Sequence, residues 1–244
     1  MKILQLNVWT GRIKGALLDF IKSNDFDVIC MQEAVWGGDK QKELENFFAT
    51  ADQTKEASGL EHESRSSNWG MKIFSDNNIV EQGNVILSKS EIIEKQNELV
   101  HNKYGVVKNA QDFYEHAYTL QIAKLKCGIT IVNHHGYWKP TPMGDETTVE
   151  VMKKVANVVR GISGPVVMCG DLNIVHEAPA MRELDFLRDL THEYHIDNTL
   201  SGLKFNGKVA CDHILVNNEV EVRDFSVLDD IVSDHKPLLI EINL

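Results

Sequence analysis

The chain has 244 residues, 43% of them apolar and 25% charged, with a formal net charge of −11. That length fills a sizeable core and the composition is that of a soluble globular protein. No apolar run reaches the ~20 residues of a membrane span, and the acidic balance argues against a protein that grips long nucleic acid mainly through its phosphates. In chain order, Ile3–Val8 reads as a strand. Ile13–Lys22 reads as a helix, with Ile13, Ala16, Leu17, Phe20 and Ile21 on one stripe. Asp27–Met31 is an apolar strand that ends on Gln32 and Glu33, and Lys40–Ala49 is a second helix packing Leu44, Phe47 and Phe48. Ala51–Trp69 is polar and irregular and is expected to be a long surface loop. Gly83–Ser88 is a short strand, and His116–Lys126 and Gly128–His135 form a hairpin. Asp145–Ile162 has the strongest helical stripe and ends at glycines. Val166–Cys169 is a buried strand, Pro179 opens a helix running to about Leu190, and Ala210–Val216, Glu221–Leu228 and Pro237–Ile242 are strands. One compact α/β domain spanning residues 1–244 with two sheets accounts for this order.

Cys30, Cys127, Cys169 and Cys211 are far apart, and all but Cys127 lie within apolar runs. They read as reduced core thiols rather than a zinc site or disulfide frame. Met1 leads almost directly into a strand, with no basic and apolar leader. The expectation is a cytoplasmic protein, monomeric and without a membrane anchor.

Six segments place polar groups at strand ends: Asn7, Gln32–Glu33, Asn133–His135, Asp171–Asn173, Asp212 and Asp234–His235. Alternation along a strand would put Asp171 and Asn173 on one side, and Asn133 and His135 on one side with His134 opposite. Four carboxylates (Glu33, Asp171, Asp212 and Asp234) brought together would repel one another. Such a cluster makes sense around a hard cation, and oxygen ligands point to Mg²⁺ or Mn²⁺.

Taken in order, Asn7, Met31-Gln32-Glu33, Gly83-Asn84-Val-Ile-Leu-Ser88, Val-Asn133-His-His135, Gly170-Asp171-Leu-Asn173, Asp212-His-Ile-Leu and Ser233-Asp234-His235 resemble the endonuclease/exonuclease/phosphatase superfamily. The resemblance runs the length of the chain. It implies a four-layer α/β sandwich, two mixed sheets face to face with helices outside. It also implies that Glu33 binds the divalent metal with Asp234, and that Asn7 sits beside it near the phosphate. Asp171 would orient and deprotonate the attacking water, and Asn173 would fix that water and a phosphate oxygen. His135 would donate to the scissile phosphate. His235, oriented by Asp212, would stabilise charge on the phosphoryl oxygens. Asn84, Tyr137 and Trp138 are expected to contact substrate, the aromatics by stacking on a base or sugar. The chain departs from the family pattern at His134-His135-Gly136-Tyr137-Trp138, where Thr-His-Leu is usual, and at His213, where Tyr is common. His62, His101, His116, His176, His192 and His195 match no motif and read as surface or core residues; His134 reads as structural.

The expected function is Mg²⁺-dependent hydrolysis of a small or exposed phosphate ester, as a phosphodiesterase or phosphatase. The alternative is a DNA or RNA nuclease of repair type. It would need a basic rim near Arg65, Lys72, Lys103, Lys108 or Lys139. A non-catalytic binding protein of the same fold would have lost a metal or water-activating residue, and none is missing. A sphingomyelin-type lipase would need an exposed apolar loop, and only Tyr137-Trp138 offers one.

Overall fold

The computed structural model describes residues 1–72, 78–108, 115–204 and 207–243. Its strands are β1 (Lys2–Asn7), β2 (Val28–Trp36), β3 (His62–Met71), β4 (Val80–Ser88), β5 (Ile92–His101), β6 (Val106–Val107), β7 (Tyr118–Leu125), β8 (Thr130–His134), β9 (Val166–Asp171), β10 (Arg188–Asp189), β11 (Asp212–Val216), β12 (Glu221–Val227) and β13 (Leu238–Asn243). Its α-helices are α1 (Lys14–Lys22), α2 (Gln41–Leu44), α3 (Ala51–Ser58), α4 (Glu146–Arg160) and α5 (Leu190–Glu193). The strands form two sheets, in the orders β12-β13-β1-β2-β4-β3-β6 and β10-β11-β9-β8-β7-β5. Both are mixed, because β1/β2, β3/β6 and β8/β9 pair parallel within otherwise antiparallel sheets.

Side-chain alternation sorts the core into layers. Ile3, Val28, Cys30 and Ile86 of the first sheet face Ile131, Val167, Cys169 and Ile214 of the second. On the outside of the first sheet, Leu4, Leu6, Ile29 and Met31 pack on Leu17, Phe20 and Ile21 of α1 and Ala51 of α3. On the outside of the second sheet, Leu120, Val132 and Met168 pack on Val151, Met152, Val155 and Val159 of α4. Helix, sheet, sheet, helix is the expected four-layer sandwich, and each fully buried aliphatic side chain contributes about 1.5–3 kcal/mol. Helix α4 starts at Asp145, whose side chain accepts from Thr148 N–H in a capping box.

Four local expectations are corrected. Residues 51–69 are α3 followed by most of β3. The helix is specified by Thr50, which caps Gln53 N–H reciprocally, and by Gly59 in the left-handed conformation (φ 67°) at its end. The strand buries small polar residues where alternation would otherwise place apolar ones. Ser66 Oγ donates to Thr119 Oγ1, which donates to Asn68 Oδ1, and Gln121 Nε2 donates to Ser64 Oγ. The second expected helix shrinks to a 3₁₀ turn and Gln41–Leu44, leaving Phe47 63% exposed. β5, unassigned in the sequence, is the mostly exposed edge of the second sheet and carries the charges that discourage further pairing. The helix expected from Pro179 is a 3₁₀ segment to Leu184, after which β10 and α5 follow. Cys127 is exposed, while the other three thiols are buried.

Candidate active site

The inner faces of the two sheets change character along the strands. In β1 the inward residues run Ile3, Gln5, Asn7; in β2, Val28, Cys30, Gln32; in β8, Ile131, Asn133; in β9, Val167, Cys169, Asp171. The apolar lower half becomes a buried amide layer. Gln32 Nε2 donates to Gln5 Oε1 (2.8 Å) and Asn133 Oδ1 (2.6 Å), and Gln5 Nε2 donates to Asp212 Oδ1 (2.9 Å). Asn133 Nδ2 donates to the Met31 and Val85 carbonyls. Asn133 is therefore a tie between sheets and does not reach the site beside His135, as simple alternation had suggested. Above this layer the catalytic candidates collect.

Asp171 ends β9 and is 2% exposed at its side chain. Asn7 Nδ2 donates to its Oδ2 at 2.9 Å and also to Glu33 Oε1 at 3.2 Å. His135 Nε2 and His235 Nε2 stand 3.6 and 3.7 Å from the same Asp171 oxygen. Burial pushes the Asp171 carboxyl up, but the two imidazoles, the Asn7 amide and the Asn173 N–H outweigh it and hold the group below its ordinary value. His235 Nδ1 lies 2.8 Å from Asp212 Oδ2. Burial lowers the His235 pKa, yet the charges of Asp212 and Asp171 and the Asp212 hydrogen bond carry it well above the usual imidazole range. Asp171 is thus drawn toward its carboxylate form and His235 toward its imidazolium form.

Two glycines bring β8 and β9 into this arrangement. A Cβ on Gly136 would sit 2.2 Å from the Leu172 carbonyl oxygen, and one on Gly170 would sit 2.1 Å from that of His134. Asn173 reaches the site by a turn and not by strand alternation. Its φ is 58°, its N–H donates to Asp171 Oδ1, and its Nδ2 donates to the Gly136 carbonyl. Glu33 likewise has φ 55° and lies where the β2–β4 register slips between Met31 and Ala34. The bulge leaves Glu33 half-buried between the buried Gln32 and Ala34. Ser233 Oγ donates to the Asn7 carbonyl, which docks the Asp234–His235 loop on β1.

Among the described residues, one group of His, Cys and acidic side chains is close enough to hold a metal: Asp171, Cys211, Asp212 and His235. Its donors are already committed, however, because Asp212 accepts from Gln5, Thr199 Oγ1 and His235. Glu33 and Asp234, which line the same cleft, are less fully committed. Burial raises the Asp234 pKa; His235 opposes this, the Glu33 charge adds to the rise, and the net shift is upward. Two carboxylates in mutual repulsion are what a divalent ion would relieve, and the Lys204 ammonium 3.8 Å from Asp234 offsets part of that charge in the folded chain. Asn7 offers N–H groups to Glu33 and Asp171 and turns its oxygen to Trp9 N–H, so it stands beside that position and links it to Asp171.

A cleft of about 520 Å³ opens over these groups, lined by Glu33, His135, Asp171, Asn173, Asp234 and His235 and walled by Trp138, Pro140, Pro142, Leu200 and Val209. Trp138 is on the cleft as expected. Asn84 and Tyr137 are not. Asn84 is fully buried and donates to the Thr119 carbonyl. Tyr137 turns into the core, edge-on to Tyr118 and His101. His116 and Lys204 also line the cleft. Only chain topology brings them there, and no motif in the sequence marks them. His116 is buried against Trp69 and Tyr118, and burial holds its pKa down to about 4. Fully buried His134, whose Nδ1 is 3.0 Å from the Thr119 carbonyl, is structural.

The family model for the endonuclease/exonuclease/phosphatase family matches residues 4–235. The chain belongs to this family. Its members are generally phosphoester hydrolases and typically use divalent metals. The fold is similar to that of the family protein from Leptotrichia buccalis (TM-score 0.70, 18% identity, 100% of both chains). It is also similar to the mannosyl-6-phosphatase of Bacteroides thetaiotaomicron (0.67, 16%, 100% of both). The catalytic domain of human nocturnin with bound sulfate gives 0.67 at 15% identity, over 100% of this chain and 93% of that one. At these identities the likeness concerns the fold. A comparison with curated protein sequences gave no match.

Proposed function

We propose that the protein is a Mg²⁺-dependent phosphodiesterase or phosphatase acting on a small or exposed phosphate ester. The observation that carries this reading is the buried Asp171 carboxyl set between His135, His235 and Asn7 at the floor of the cleft. We assign the proton-accepting role to Asp171, whose carboxyl is drawn below its ordinary value while the neighbouring His235 imidazole is drawn above its own. Asp171 then orients and deprotonates the attacking water, and Asn173 fixes that water from the turn. His135 and the His235 imidazolium donate to the phosphoryl oxygens, with Asp212 holding the His235 ring. Mg²⁺ at Glu33 and Asp234 would supply charge neutralisation at the phosphoryl and leaving oxygens. The wall of Trp138, Pro140 and Pro142 suits a substrate with an apolar or planar group next to its phosphate.

One observation favours a nuclease as the second reading. Lys103, Tyr104 and Lys108 line a groove of about 260 Å³ that shares His116 with the main cleft. Against it, Arg65 is committed to Asp52 and Glu63, and Lys139 to Asp145. No described helix is long and apolar enough to cross a membrane. A cytoplasmic, monomeric enzyme is part of this proposal and rests on the sequence expectation alone. The test is Mg²⁺-dependent hydrolysis over two panels, with Asp171→Ala as the blank. One holds abasic, single-stranded and duplex oligonucleotides; the other holds bis-p-nitrophenyl phosphate, sugar phosphates, inositol phosphates and phospholipid head groups. Turnover confined to the small esters is expected. Selective cleavage of oligonucleotides would replace this reading with the nuclease, and silence on both would leave a binding protein.

A further inference from the structure

Behind the Asp171–Asn173 turn lies a second buried charged group that the chemistry above does not use. His213 follows Asp212 on β11 and is fully buried. Its Nδ1 is 2.9 Å from Asp189 Oδ2 and its Nε2 is 2.8 Å from the Ile174 carbonyl oxygen. A carboxylate and a carbonyl only accept, so both nitrogens carry protons and the ring is an imidazolium. Asp189 is held in turn by His176 Nδ1 at 2.9 Å and by Thr191 N–H at 3.1 Å. Burial opposes the charge on both members of the pair, but their mutual attraction prevails: Asp189 falls to about 2 and His213 rises.

The carbonyl that His213 grips belongs to the residue after Asn173. Asn173 turns the chain through the left-handed region (φ 58°), so its turn is set by what holds it on either side. On the N-terminal side, Leu172 N–H bonds to the Cys211 carbonyl and Asn173 N–H to Asp171 Oδ1. On the C-terminal side, His213 takes the Ile174 carbonyl, so the turn is held on both sides of Asn173. β11 thus serves the site twice, with Asp212 turned to His235 and His213 turned to the back of the Asp171 turn.

We propose that His213, held by Asp189, is a positioning residue that fixes the Asp171–Asn173 turn by clamping the Ile174 carbonyl, and thereby aims the Asp171 carboxylate. The inference rests on the hydrolase reading above. It is tested by steady-state hydrolysis of bis-p-nitrophenyl phosphate with Mg²⁺, together with ¹⁵N NMR of the imidazoles. His213→Phe removes both donors at similar volume and should lower kcat about 30-fold with KM within about twofold, since small misplacements of a reacting group cost rate rather than binding. Asp189→Asn should keep kcat within about threefold, because a neutral ring still donates Nε2–H to Ile174 while Nδ1 accepts from the new amide. Wild-type kcat in His213→Phe, or a loss carried by KM alone, overturns the proposal. So does an Asp189→Asn variant as slow as Asp189→Ala; that pair decides the matter if His213→Phe does not fold. In the wild type, NMR should show both His213 nitrogens protonated at pH 7. A bare Nε2 sinks the clamp whatever the activity, whereas an inactive wild type sinks the hydrolase reading and this inference with it.

Discussion

The two ends of the cleft solve opposite electrostatic problems. At the Asp171 end every charge has a protein partner: Asp171 meets two imidazoles and an amide, and Asp212 meets His235, Gln5 and Thr199. There the carboxylate of Asp171 is pulled down and the imidazole of His235 is pushed up. At the Glu33–Asp234 end, two carboxylates repel and Asp234 is pushed up. At the first end the charges are partnered within the fold itself. At the second, the carboxylates are offset only in part, by Lys204 and His235 beside Asp234. Asn7, donating to both Glu33 and Asp171, joins them. The contrast is between carboxylates paired within the fold and carboxylates left in mutual repulsion.

The contrast can be broken most severely at the Asp171 end. Asp171→Ala should lower kcat on the responsive ester on the order of 10⁴-fold, the upper range for a lost acid–base group, with far-UV circular dichroism unchanged. Asp212→Asn should cost about 10²-fold, because it removes the charge that orients and protonates His235. An NMR titration should show the His235 pKa falling in that variant, and an unchanged pKa would refute the assigned role of Asp212. At the Glu33–Asp234 end, Mg²⁺ at ~100 times its Kd should stabilise the wild type by about 2.7 kcal/mol. Asp234→Asn should raise Tm without Mg²⁺, by relieving repulsion from Glu33, and should lose most of the Mg²⁺-induced rise. A lower Tm in metal-free Asp234→Asn would count against the cation position. The smallest effect lies outside the cleft. Asp189 is held at about 2, below its unfolded value near ~3.9. Its contribution to stability is therefore present above about pH 4 and lost as pH falls toward 2. Urea midpoints at pH 5 and 2.5 should differ less in Asp189→Asn than in the wild type.

Much of this was legible in the residues. Period-2 alternation through Ile3, Gln5 and Asn7, and through Val167, Cys169 and Asp171, marks strands that are apolar at one end and polar at the site end. The ordered motifs from Asn7 to His235 carried the family and the four-layer fold. The capping box of Thr50 and Gln53 with Gly59 was also present, and an apolar-only reading of residues 51–69 passed over it. β3 was hidden for a related reason: its inward Ser64, Ser66 and Asn68 are hydrogen-bonded across the sandwich, so hydropathy does not mark it as buried.

What the sequence determined by itself was local: strand and helix periods, caps, and which polar groups stand at strand ends. Tertiary structure alone decided the partnerships. It gave Asp212 to His235, set Asn173 in the site through a left-handed turn, sent Tyr137 into the core and Asn84 to a backbone carbonyl, and paired His213 with Asp189. Those outcomes depend on distances between strands far apart in the chain. Electrostatics at a few ångströms, unlike periodicity, exists only once both sheets have closed on one another.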